Sequence, residues 1–143
     1  MKVVVDTSVW SLALRRRSAV ADIATARLSR LIVDGRVVML GPVRQELLSG
    51  IRDRGVFDSL RERLRGFSDI ALDAEDHETA ADFINTCRRR GVQGSNTDFL
   101  ICAAADRRGC SILTTDRDFG AFAAHLPVRL ELPLDAIRPS DPT

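Results

Sequence analysis

A single lysine, a single tryptophan, two histidines and three cysteines occur in 143 residues, and each scarcity removes a class of function. Cys87, Cys102 and Cys110 are odd in number, lack CxxC spacing and have no histidines at zinc-finger intervals. That excludes a disulfide framework and a structural zinc site, and predicts buried thiols. Neither His77 nor His125 lies in a candidate motif, which argues against the histidine acid/base pair of metal-free ribonucleases. The absence of a GxxxxGK[ST] phosphate loop argues against nucleoside-triphosphate chemistry. No stretch approaches the roughly 18 consecutive apolar residues that span a bilayer. The N-terminus runs straight into a strand-like segment without a signal-peptide pattern, so the expected location is the cytoplasm.

What is present is ordinary globular material, 45% hydrophobic and 29% charged, in a length that fits one compact domain. The net charge of +1 does not favour strong non-specific binding to nucleic acid. Of the 21 basic residues all but Lys2 are arginines, whose planar fork suits phosphate. Arg15-Arg16-Arg17 and Arg88-Arg89-Arg90 could track phosphates, although the second run equally suits a helix C-terminus. Trp10 reads as core or interface rather than as a base-stacking platform.

The order of elements predicts an α/β domain. Val3-Val4-Val5 is a β-branched run stopped by Asp6-Thr7-Ser8, a buried strand leading into a helix start. A helical period over Val20–Val33 (Val20, Ile23, Leu28, Leu31, Ile32) ends at Asp34-Gly35, and Val37 to Leu40 makes a second strand. Gly41-Pro42 opens a helix with Val43, Leu47 and Ile51 four apart and Glu46 beside that stripe. Phe57, Leu60, Leu64 and Phe67 repeat at helical spacing, with a short strand possible over Asp69–Leu72. A capped helix from Asp73 carries Ala80, Phe83, Ile84 and Cys87 and closes at Gly91. Gly94 to Thr97 is cap chemistry before a helix from about Asp98 to Arg108. Strands are expected over Ser111–Thr115 and Val128–Leu132. Strands separated by helices pair in parallel, which implies a three-layer α/β/α arrangement with a central, mainly parallel sheet.

In such a sheet functional groups collect beyond the C-terminal strand ends. Asp6 and Asp116 sit there, Asp98 starts a helix that could point to the same edge, and Glu46 could enter from the helix after the second strand. Like charges about 5 Å apart at an effective dielectric near 20 repel by roughly 3 kcal/mol, so such a cluster calls for a cation. Oxygen-only ligands suit Mg²⁺ or Mn²⁺, and the chemistry implied is phosphodiester hydrolysis. Each aspartate also has a simpler reading as a helix or turn cap, and Glu46 as a solvated helix edge.

The motifs carry a family resemblance. Val3-Val4-Val5-Asp6-Thr7-Ser8-Val9-Trp10 resembles the opening of a PIN domain of the VapC type, and Gln45-Glu46-Leu47-Leu48-Ser49-Gly50 its second acidic motif. Asn96-Thr97-Asp98-Phe99-Leu100-Ile101-Cys102-Ala103-Ala104-Ala105 is similar to the third, and Leu113-Thr114-Thr115-Asp116-Arg117-Asp118-Phe119 to the fourth. The likeness implies a PIN-like nuclease domain over residues 1–132 followed by an irregular tail, 133–143. It implies Asp6, Glu46, Asp98 and Asp116 as metal-holding catalytic residues, with Asp118 as a further ligand. Thr7 or Ser8 and the Thr114-Thr115 pair would be supporting groups. Asp116 is favoured over Asp118, since the two point to opposite sides if the chain stays extended between them. The resemblance also implies RNA cleavage, growth inhibition, homodimerisation and neutralisation by a VapB-like antitoxin. A catalytically silent PIN-like domain that binds RNA or protein is the alternative. A haloacid-dehalogenase-like phosphatase would need an aspartate where Ser8 stands, and a phospho-acceptor receiver domain is the remaining α/β possibility.

Overall fold

The structure, a computed structural model, describes residues 1–15 and 22–134. The expectations placed on Arg16, Arg17, Val20 and the tail from 135 onward lie outside the described residues. Three strands, β1 (Val3–Val5), β2 (Val37–Val38) and β3 (Ser111–Leu113), form one parallel sheet in the order β2-β1-β3. β1 is central, with Val3 opposite both Val37 and Ser111, and all three of its valines are buried. That is why it reads as an unbroken β-branched run with no polar alternation.

Seven helices are described: α1 (Thr7–Leu14), α2 (Ile23–Val33), α3 (Gly41–Leu48), α4 (Arg54–Leu64), α5 (Ala74–Arg88), α6 (Asn96–Arg107) and α7 (Asp118–Ala123). α6 lies against β1 and β3 and pairs extensively with α5, α2 packs on β2, and α1 touches both α2 and α3. Two aromatic groups pin the core: Trp10 meets Phe67 edge-on at 5.0 Å, and Phe122 contacts Phe99 at 4.8 Å and Phe119 at 5.2 Å. All three cysteines are free and buried, as expected. Burial holds the Cys102 thiol far above its ordinary value, assisted by the nearby Asp98 charge.

Several expected elements are shorter or differently placed. The strand expected over Val128–Leu132 is a single bridge, Ile112 to Leu130. Pro127 and Pro133 bracket that segment and remove the donors a longer ladder would need. The strand expected over Asp69–Leu72 is likewise one bridge, Met39 to Asp69, and the Ala71 carbonyl instead accepts from Arg108. On α2 the contact is made by Ala24, Leu28 and Leu31, whereas Ile23 and Ile32 are 52% and 41% exposed. Ile51 and Phe67 fall beyond the ends of α3 and α4 yet still pack on the core. α6 begins two residues before Asp98 because Ser95 is its cap. α7 was not expected at all; Phe119 and Phe122, three apart, are the buried pair that holds it.

Candidate functional site

Because β1 and β3 are neighbours, the chain leaving each strand emerges at one edge, and the Asp6 N–H donates to the Leu113 carbonyl at 2.9 Å. Asp6 occupies the N-cap position of α1 without a side-chain capping bond and is only 5% exposed. Its Oδ2 accepts from Ser8 Oγ and from Thr114 Oγ1, each at 2.8 Å. Those hydroxyls are themselves held by backbone donors: the Thr115 N–H reaches Ser8 Oγ at 3.2 Å and the Asp116 N–H reaches Thr114 Oγ1 at 3.0 Å. Each hydroxyl thus accepts an amide proton and donates its own to the carboxylate, which fixes both rotors.

Asp98 stands at the third position of α6. The Ser95 N–H donates to Asp98 Oδ2 at 3.0 Å and the Asp98 N–H donates to Ser95 Oγ at 3.1 Å, a reciprocal capping box. Both readings of this aspartate therefore hold, since it caps the helix and faces the other acids. Gly94 seats the turn. A Cβ there would lie 2.5 Å from Phe122 Cζ and 3.1 Å from Phe99 Cε2, so the loop before Asp98 rests directly on the aromatic pair beneath α6 and α7.

Asp116 sits in the turn between β3 and α7, where the Asp118 N–H donates to its Oδ1 at 2.9 Å. The chain is not extended between the two: Asp118 opens α7 and is exposed, while Asp116 is half-buried. Glu46, exposed on α3, accepts from Thr7 Oγ1 through Oε2 at 2.8 Å. Thr7 and Ser8, adjacent on α1, therefore serve different carboxylates.

The electrostatics group three of these residues. Burial raises the Asp6 carboxyl above its ordinary value, the Thr114 and Ser8 hydroxyls and the Thr7 amide oppose that rise, and the Asp116 charge adds to it. Burial likewise raises Asp98, the Ser95 hydrogen bonds oppose it, and Asp6 and Asp116 push it further. Asp6, Asp98 and Asp116 are thus close enough to repel, and Glu46 stands one threonine away. Among the described residues no three His, Cys, Asp or Glu side chains form a ready-made metal cage. Of the sequence-predicted groups, Asp6, Ser8, Thr114, Thr115 and Asp116 share one hydrogen-bond network, Asp98 is bonded only to Ser95 and feels the others through charge, Thr7 and Glu46 form an adjoining pair, and Asp118 joins through its backbone N–H alone. The seating of Gly94 was missed; a small residue directly before a cap was its signal.

A cleft of about 800 Å³ opens beside Glu46, between α1, α3 and α4. Fold and site together define an α/β domain whose strand-end edge is lined by carboxylates and hydroxyls, an all-oxygen donor set. The sequence model described as PIN domain matches residues 3–124. VapC ribonuclease Mb1587 of Mycobacterium bovis and Ribonuclease VapC11 of Mycobacterium tuberculosis are each 33% identical over 125 residues, 85% of this chain and 91% of theirs. In fold, the chain is similar to VapBC2 from Rickettsia felis, bound to a DNA fragment from their promoter, with TM-score 0.72 and 17% identity over 92% of this chain and 98% of that one. FitAcB from Neisseria gonorrhoeae gives TM-score 0.69 and 20% identity, covering 90% and 95%. The chain belongs to the PIN domain family, within its VapC branch.

Proposed function

We propose that this chain is a divalent-metal-dependent endoribonuclease and the toxin of a type II toxin–antitoxin pair. What supports the reading is the 33% identity to VapC ribonucleases over 125 residues, together with carboxylates that follow β1 and β3 and open α6. Asp6, Asp98 and Asp116 would hold the cation, with Glu46 completing the set from α3 and Asp118 contributing only if α7 shifts. The donor chemistry fits Mg²⁺ or Mn²⁺: every candidate atom is oxygen, which suits hard cations that keep several waters. When bound, such an ion lowers the pKa of a water and neutralises charge on a phosphate.

The protein's own groups do the rest. Ser8 and Thr114 lock the Asp6 carboxylate so that it need not reorganise, and the capping box does the same for Asp98. Unscreened, the three carboxylates would repel a phosphodiester, so RNA engages only after the negative edge is neutralised. A VapB-like antitoxin would silence the site by covering this edge and placing a basic side chain among the acids, in a cytoplasmic complex containing a homodimer of the toxin. Filled acidic positions in all four motifs weigh against a silent binding domain.

The test is to incubate antitoxin-free protein with total bacterial RNA and Mg²⁺ or Mn²⁺ and to map new ends beside an Asp98→Asn control. Discrete cuts that vanish with the substitution or with EDTA are expected. Intact RNA with folded protein under both metals would overturn the reading.

A further inference from the structure

Helix α3 is short and has few fixings of its own. It spans eight residues, Leu40 at its N-cap makes no side-chain bond, and its first turn carries no acid. A helix of that length does not hold its place alone, so its tilt and rotation follow from outside contacts. Val43 and Leu47 anchor it in the core, but apolar contacts are non-directional and leave rotation loosely set. The directional contacts are made by Arg44 and Glu46, which project about 200° apart around the helix axis. Glu46 accepts from Thr7 on α1. On the other side Arg44 Nη2 donates to Asp69 Oδ1 at 2.7 Å and to the Phe67 carbonyl at 3.0 Å, and its Nε donates to the same Asp69 oxygen at 3.2 Å. Residues 67–70 are themselves tied to the end of β2, where the Met39 N–H donates to the Ser68 carbonyl and the Ile70 N–H to the Met39 carbonyl.

These contacts close a ring. Phe67 meets Trp10 edge-on, Trp10 lies one turn beyond Thr7 on α1, Thr7 holds Glu46, and Arg44 returns to Phe67 and Asp69. We propose that Arg44 is a positioning residue for the carboxylate edge: its bonds to Asp69 and Phe67 set the rotation of α3 and so the place of Glu46. The inference rests on the ribonuclease reading for what Glu46 does there and adds what holds it. The Arg44 and Asp69 side chains are 22% and 43% exposed, and pairs so accessible contribute little to stability. Losing this one therefore changes where Glu46 stands more than whether the domain folds. Trp10, the chain's single tryptophan, reports on the ring, because its Nε1 has no hydrogen-bond partner among the described residues and packing alone holds it.

The test compares Arg44→Met, Asp69→Ala and Glu46→Gln, with Arg65→Met, which breaks an exposed ion pair to Glu62, as the control. Mn²⁺ affinity of the antitoxin-free protein is read from the free-ion EPR signal, Trp10 exposure from acrylamide quenching, and cleavage of a short oligoribonucleotide as kcat and KM. Arg44→Met and Asp69→Ala should each weaken Mn²⁺ binding about tenfold, the usual scale for losing a support behind a metal ligand, and lower kcat with KM held. Combining either with Glu46→Gln should add nothing, since both act through that carboxylate. Quenching should rise in both while the melting temperature barely moves, and Arg65→Met should stay within about twofold of the parent throughout. An Arg44 that touched RNA directly would instead raise KM and leave Asp69→Ala unharmed, which would overturn the proposal. So would a Mn²⁺ affinity that falls in Glu46→Gln alone. If none of the three changes Mn²⁺ affinity yet quenching rises in Arg44→Met and Asp69→Ala, the cation role of Glu46 fails and the hold of Arg44 on α3 stands; with quenching unchanged too, both fail.

Discussion

At the residue scale the account turns on carboxylates whose burial and mutual repulsion outweigh the hydroxyl and amide donors that hold them. Asp6 and Asp98 are raised in the folded protein, so between their unfolded and folded values the folded state binds more protons than the unfolded one. Stability of the metal-free protein therefore falls as pH rises through the carboxylate range, and the penalty is complete above the folded values. Asp98→Asn keeps an oxygen for the Ser95 N–H and removes the charge. Thermal melts should show it at least as stable as wild type at pH 7, with the difference shrinking toward pH 4 and on adding Mn²⁺ to the wild type. A pH-independent difference would count against mutual repulsion. Thr7 supplies the second residue-scale prediction. Thr7→Val removes the donor to Glu46 and should lower cleavage by roughly three- to tenfold with little change in melting temperature, while Thr7→Ser restores it. If Thr7→Ser is as impaired as Thr7→Val, the hydroxyl is not what matters. The carboxylates themselves were legible because strand ends and acidic motifs are local in sequence. The division of labour between Thr7 and Ser8 was not, since adjacent hydroxyls are distinguished only by which distant carboxylate each meets.

At the element scale α6 carries Asp98, and two supports fix it. One is the seat of Gly94 on Phe122 and Phe99. Gly94→Ala has no room there and should cost about 1 to 3 kcal/mol in urea unfolding, with loss of cleavage as the start of α6 shifts. The other is at the far end, where Asp76 of α5, fully buried, receives Arg107 at 2.7 Å and Arg108 at 2.7 Å and 2.8 Å while also closing the α5 capping box. The Arg108 guanidinium, chiefly, holds the Asp76 carboxyl well below the usual range. A depressed carboxyl contributes stability above its unfolded value, near 3.9, which is lost as pH falls toward the folded one. Asp76→Asn should therefore cost about 3 kcal/mol at pH 7 by urea unfolding, and the gap to wild type should narrow below pH 4. A gap that persists undiminished at pH 3 would contradict this. Helix periods and caps were readable here, because Asp73, Ser95 and the closing glycines are local signals. The pairing of α5 with α6 through Asp76 was not, since nothing local says which arginine thirty residues away will reach it.

At the scale of the whole molecule, the parallel order β2-β1-β3 is what makes a site from residues more than a hundred positions apart. It sets Asp6 beside Thr114 and Asp116, and the packing of α6 on β1 and β3 brings in Asp98. Alternation of strands and helices made the parallel α/β class legible in advance. Strand extents were not, because Pro127 and Pro133 lack the backbone donors a longer ladder needs and the Arg108 guanidinium occupies the Ala71 carbonyl. The turn after Asp116 was not legible for a related reason: burial of Phe119 and Phe122 creates α7, and only three-dimensional packing reveals that burial. The central claim is that this topology assembles a cation site from Asp6, Asp98 and Asp116. Crystals grown with Mn²⁺ and measured at the manganese absorption edge test it most directly. The account predicts an anomalous peak within ligand distance, about 2.0 to 2.3 Å, of oxygens from at least two of these three residues. A peak elsewhere, or none at saturating Mn²⁺ with the edge open to solvent, would contradict it.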